Sequence, residues 1–234
     1  MDFKNSPLAS LKPELVWKFF FELTQIPRPS KKEEKVREYL RNLAKNNSID
    51  YSEDSLGNII FRIPATPGYE NKPIVVLQGH VDMVCEKNKD VEFDFDNQPI
   101  NVYIDGNYVK AKGTTLGADN GIGVASALAI AFDKEAVHGP LELLFTVDEE
   151  TGLTGAQVLS PDFVKGRILL NLDSEEHGTF FVGCAGGQDT KGVLNTEFTT
   201  LPSEFQAYEL MISGLKGGHS GLDIKIGRAN AIKL

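Results

Sequence analysis

The sequence predicts an α/β fold: a mixed, mostly parallel sheet flanked by helices, with the start of a smaller α+β domain after it. Three observations carry this. Residues 74–77, 141–147 and 168–172 are short apolar runs that read as buried strands, the first of them continuously apolar as in a central strand covered on both faces. Segments with helical spacing of apolar residues alternate with them. Each run also leads into acidic or histidine residues, namely His80-Val81-Asp82, Asp148-Glu149-Glu150 and Asp173.

Along the chain, a first helix starts near Pro13, buries Val16, Phe20 and Leu23, and is stopped by Pro27. Ser30-Lys31-Lys32-Glu33 has the form of a capping box for a second helix, with Val36, Tyr39, Leu40 and Leu43 on one face. Leu56-Gly57-Asn58 turns into a strand over 59–63, and residues 64–73 form a polar, proline-rich loop. The central strand at 74–77 delivers His80 and Asp82. Residues 91–112 make an edge excursion in which Asp105-Gly106-Asn107 turns a hairpin between 100–104 and 108–112. In the next helix Ile122, Ala125, Leu128, Ala129 and Phe132 share a face, and Asp119 stands at its N-cap. Gly139-Pro140 breaks the chain before the strand at 141–147. Composition shifts at Gly183-Cys184-Ala185-Gly186-Gly187, which suits a crossing between a domain over 1–186 and a second over 187–234. In the second, 208–212 alternates like a half-exposed strand, 216–221 is a glycine-rich loop, and 228–234 begins a helix.

At 234 residues, 41% of them hydrophobic, the chain has material for a sizeable core. Thirty-three acidic against 24 basic residues give a net charge of −9, which speaks against nucleic acid as a partner. No apolar run is long enough for a membrane span, and two cysteines make no disulfide framework, so a cytoplasmic protein is expected.

In an open α/β sheet the carboxyl ends of the strands face one crevice. Carboxylates and a histidine gathered there repel one another unless cations sit among them. Each motif alone has a plainer reading. Asp119 can cap a helix, His80 can be a buried histidine bonded to Asp82, Asp148-Glu149-Glu150 can be a solvated loop, Asp173 can turn the chain, and His219 can be a loop histidine. Together they point to a metal site.

Five motifs carry a resemblance: Gly79-His80-Val81-Asp82-Met83-Val84, Gly117-Ala118-Asp119-Asn120-Gly121, Asp148-Glu149-Glu150-Thr151-Gly152, Asn171-Leu172-Asp173-Ser174 and Gly217-Gly218-His219-Ser220-Gly221. In this order they resemble the co-catalytic zinc dipeptidases, most of all the aminoacyl-histidine dipeptidase (cytosolic non-specific, carnosinase-like) branch, from about Leu11 to the last residue. Gly117 to Gly121 and Ile26-Pro27-Arg28-Pro29-Ser30 favour that branch over sister aminopeptidases, carboxypeptidases and deacylases.

The resemblance implies a zinc-exopeptidase-like catalytic domain over 1–186 and the start of a lid and dimerisation domain over 187–234. It implies two zinc ions, with manganese or cobalt as possible substitutes. His80 and Asp173 would be terminal ligands of one ion, Asp119 would bridge the pair, and Glu150 would hold the second. Asp82 would orient the His80 ring, a device common to metal-bound histidines. Glu149 would be the general base, and His219 would polarise the substrate carbonyl, in relatives often across a homodimer. The expected reaction is hydrolysis of unblocked dipeptides such as β-alanyl-histidine. Family members have a longer chain, whose second half completes the lid and supplies a last histidine ligand to the second zinc. The expectation is therefore an N-terminal half, truncated and with weak or no activity. A non-enzymatic metal-binding or dimer-forming fragment, and a related amidohydrolase, are the other readings.

Overall fold

The structure is a computed structural model and describes residues 2–174, 176–184, 190–218 and 223–234. It divides into two compact units, residues 1–182 and 183–234. In chain order the first unit forms α1 (Glu14–Thr24), α2 (Glu34–Asn46), β1 (Asp50–Glu53), β2 (Ile59–Ile63), β3 (Val75–His80), β4 (Val102–Asp105), β5 (Tyr108–Ala111), α3 (Ala118–Phe132), β6 (Leu141–Thr146), α4 (Thr154–Gln157) and β7 (Ile168–Asn171).

Five strands make the main sheet in the order β1-β2-β6-β3-β7, and β4 and β5 form a separate hairpin. β3 pairs parallel with both β6 and β7, while β2 is antiparallel to β1 and β6, so every strand except β2 runs the same way. The connection from β3 leads to β6 on one side of it, and the connection from β6 then leads to β7 on the other. The carboxyl end of β3 is thus a topological switch point, where open α/β sheets present a crevice. His80 is the last residue of that strand.

The apolar runs of β3 and β6 form strands where both faces of the sheet are covered. All four residues of β7, the edge strand beside β3, are instead exposed, so the buried strand expected there is not found. All six residues of β6 are buried. Leu141, Leu143 and Phe145 join the main core with Leu77, Val124 and Leu128, and the Phe61 and Phe145 rings meet edge-on at 5.3 Å. Helix α1 buries Phe19, Phe20, Phe21 and Leu23, and Phe19 packs on Phe132 of α3 at 5.3 Å. Its apolar stripe is wider than the expected Val16, Phe20 and Leu23, because α3 and the Phe3 ring both cover it. On the opposite face Ile60, Val76 and Leu144 are covered by Leu159, Phe163 and Val164. Leu40 of α2 is fully buried, as its periodicity predicts.

Two other expected elements differ, and one strand was not expected. β1 was not legible: Asp-Tyr-Ser-Glu is a polar edge strand, and its order comes from pairing with β2. Residues 208–212 form no strand; Tyr208 and Leu210 on one side of the alternation are 86% and 89% exposed and Met211 on the other is 66% exposed, so among the described residues no core receives either side. Residues 228–234 hold a turn in place of a helical start. Among the described residues of the second unit the regular element is a single 3-10 turn, Ile224–Ile226, and Arg228 pairs with Asp223 at 2.9 Å. No helix among the described residues is long and apolar enough to cross a membrane.

Candidate metal centre

His80 emerges from the end of β3 with 1% of its side chain exposed, and both ring nitrogens face carboxylates. Nδ1 lies 3.2 Å from Asp82 Oδ1. Nε2 lies 2.9 Å from Asp119 Oδ1, 3.7 Å from Asp173 Oδ2 and 3.9 Å from Glu149 Oε2. These carboxylates come from the start of α3, the end of β7 and the turn after β6. Two groups of donor atoms result, His80 with Asp119 and Asp173, and His80 with Glu149 and Glu150, each with its atoms within 4.8 Å of one another. The first gathers the residues expected on one ion. In the second, Glu150 meets His80 and Glu149.

Asp119 does not cap the helix as expected. Its own backbone (φ −80°, ψ 113°) and that of Asn120 are non-helical, and Gly117 stands at the helix N-cap position in the left-handed region. The carboxylate is thereby free to turn to His80, a partner 39 residues away. Asn120, 2% exposed, donates from its amide to Leu172 O at 2.9 Å and to Asp173 Oδ1 at 3.3 Å, tying α3 to the end of β7.

Asp82 is a hub. Its fully buried carboxylate accepts from His80 Nδ1, from the Glu149 and Glu150 backbone N–H groups at 3.1 and 3.2 Å, and from the Ser30 hydroxyl at 2.8 Å. The turn carrying those glutamates is shaped by Asp148, whose φ of 51° is left-handed and whose carboxylate accepts from Thr151 Oγ1 at 2.5 Å. Glu33 accepts from Asp148 N at 3.0 Å. Asn58, fully buried, accepts from Val147 N at 3.1 Å and donates to Gly155 O at 2.9 Å, pinning both ends of the turn.

Electrostatics follow this geometry. Burial works against a charged His80, but its hydrogen bonds to Asp119 and Asp82 prevail and raise it to about 10. Burial likewise works against a charged Asp82, yet the hydrogen bonds from His80, Glu149 N and Ser30 hold it at about 2. The His80 hydrogen bond lowers Asp119. Burial and the Asp119 charge push Asp173 up to about 6 and Glu150 up to about 7, and burial raises Glu149. Among the described residues, His80 is the cationic group within ion-pair distance of these carboxylates, and no lysine or arginine joins it. One imidazole nitrogen amid several oxygen donors, with like charges crowded enough to hold protons, is a donor set that suits a divalent cation.

Seven residues were expected at the site. The structure brings His80, Asp82, Asp119, Glu149, Glu150 and Asp173 together, and His219 lies outside the described residues. Sequence reasoning missed Arg28, Ser30, Glu33, Asn58 and Asn120. The signal for Ser30 and Glu33 was present but pointed elsewhere. The capping box does not form: Glu33 itself stands at the N-cap of α2, its carboxylate accepts from Lys31 N and Asp148 N, and the Ser30 hydroxyl goes to Asp82.

Residues 76–206 match peptidase family M20/M25/M40. Over 229 residues the chain is 49% identical to the cytosol non-specific dipeptidase of Escherichia coli (strain K12), covering 98% of this chain and 47% of that one. The crystal structure of aminoacylhistidine dipeptidase from Vibrio alginolyticus is similar with a TM-score of 0.77 and 46% identity, over 99% of this chain and 47% of that one. Aminopeptidase PepT from Bacillus cereus follows with a TM-score of 0.59 and 26% identity, over 70% of this chain and 44% of that one. The chain spans about half the length of the relatives it matches over nearly all its residues. With the family match running through β3, β6 and β7 and their acidic ends, the chain belongs to peptidase family M20/M25/M40.

Proposed function

We propose that this chain builds the catalytic metal site of a cytosolic, zinc-dependent dipeptidase acting on unblocked dipeptides, Xaa-His dipeptides among them. One observation carries the reading: a buried imidazole faces carboxylate oxygens from three separate elements on Nε2 while Asp82 holds Nδ1. A histidine held through its far nitrogen by a carboxylate is the arrangement that orients metal ligands. The similarity to a cytosol dipeptidase and to an aminoacylhistidine dipeptidase supports the substrate class and the compartment.

In this reading His80, Asp119 and Asp173 would hold one ion, and Glu150 with Asp119 would hold a second. Bound there, zinc would supply Lewis acidity at the scissile carbonyl and a water of lowered pKa, towards about 7. Glu149, raised by burial, accepts the proton of the attacking water and returns it to the leaving amine. Asp82 keeps the His80 ring and the Glu149-Glu150 backbone in one fixed relation throughout.

Zinc per folded chain, measured by elemental analysis after dialysis against a small zinc excess, is the direct test. At least one tightly held ion is expected, retained in Glu149→Gln. Joined to the second half of its longer relatives, the chain should hydrolyse β-alanyl-histidine, an activity that stops on chelation and falls by roughly 10²–10⁴-fold in Glu149→Gln, the usual share of a general base. A folded chain that holds no zinc would overturn the reading.

A further inference from the structure

The fully buried side chain of Arg28 takes no part in the chemistry above. The residue is 2% exposed, and its guanidinium makes no ion pair within 4.0 Å among the described residues. It donates instead to backbone carbonyls: Nη1 to Val81 O at 2.9 Å and Asp82 O at 3.0 Å, and Nη2 to Gly117 O. The first two follow His80 directly and the third precedes Asp119 by two residues. The Arg28 backbone takes part as well, its carbonyl accepting from Met83 N at 3.1 Å. Glycines make room for the head group, because a Cβ at Gly117 would stand 2.5 Å from Nη2 and one at Gly121 2.7 Å from it. Burial lowers the guanidinium to about 10, so it remains charged at neutral pH, with Asp82, Asp119 and Glu150 nearby.

We infer that Arg28 is a positioning residue: its planar fork clamps the end of β3 to the turn before α3 and so sets the spacing between His80 and Asp119. This rests on the reading of those two residues as metal ligands. The shape of the donor matters more than its charge, since an ammonium on a flexible stem cannot span both segments from one fixed plane. Carbonyl acceptors on two chain segments require the fork.

Arg28→Lys and Gly121→Ala test this, the second keeping the guanidinium while pressing a methyl group onto it should the first fail to fold. Cobalt(II) is the probe, with affinity and the visible absorption band as readouts, beside amide hydrogen exchange of the metal-free chain. Cobalt affinity is expected to fall tenfold to hundredfold, as when other groups that orient metal ligands are lost, and the band to change shape. Exchange should rise in segments 81–83 and 117–121 and stay unchanged in β2 and α2, which a general loss of stability would not do. Variants with unaltered affinity, band and exchange would overturn the inference alone. An unaltered chain that binds no cobalt would overturn the metal reading itself, whereas the exchange pattern would still report on the clamp.

Discussion

The Asp82 carboxylate accepts from a ring nitrogen, two backbone N–H groups and a hydroxyl. It fixes more than the histidine: the two glutamates after β6 are held to the end of β3 through this one group. Ser30 is the donor that can be removed with least disturbance. Ser30→Ala is expected to cost about 1.5–3 kcal/mol, the range for hydrogen bonds to charged groups. Urea unfolding should show a lowered midpoint at constant slope. An unchanged midpoint would mean that the hydroxyl bond adds nothing. This contact also shows why the site was only partly legible. His80, Asp82, Asp119, Glu149, Glu150 and Asp173 could be found because they follow apolar runs or open a helix. Ser30 and Glu33 lie 52 and 115 residues from the partners they bond. A serine three residues before a glutamate satisfies a local capping pattern equally well, and nothing local says which partner wins.

At the level of elements, the sheet does the placing and buried polar side chains hold the loops to it. Asn58, just before β2, pins the turn carrying Glu149 and Glu150 through Val147 N and Gly155 O. On β6 the buried Glu142 accepts from Lys165 N and Gly166 N at 2.9 Å each, fixing the approach to β7 and hence to Asp173. Asn58→Ala would leave the Val147 N–H and the Gly155 carbonyl without their side-chain partner, at about 1–3 kcal/mol for each buried group left unpaired. Thermal unfolding should report that loss. Proteolysis within 148–155 should also become faster than elsewhere in the first unit, and uniform susceptibility would argue against a local anchor. β3 and β6 were readable because a strand covered on both faces is rich in apolar residues. β7 was readable from the same pattern although its residues are exposed at the sheet edge. β1 was not, because an edge strand takes its order from its neighbour. Residues 208–212 mislead in the opposite direction: alternation describes a strand only where another strand and a core receive it.

For the whole molecule, the consequence is a fold whose stability without metal runs against its own site. The chain carries a net charge of −9, and its most crowded carboxylates surround His80. Asp173 and Glu150, raised to about 6 and about 7, bind protons in the folded state that the unfolded chain has already released. Stability therefore falls as pH rises from about 4 to about 7, since the unfolded state binds fewer protons there. His80 adds a part of the same sign at higher pH, because a raised imidazole gives stability that is full below its ordinary value of 6.5 and is lost as pH passes about 10. A bound dication reverses the balance. It needs the carboxylates ionised and the imidazole neutral, so its affinity rises over the window in which the metal-free fold weakens. The gap in Tm between zinc-loaded and metal-free chain should accordingly widen from pH 5 to pH 7.5, with protons released on binding as measured by calorimetry in two buffers. A gap that stays constant across this range, with no proton release, would place the ion away from His80, Asp119, Glu150 and Asp173.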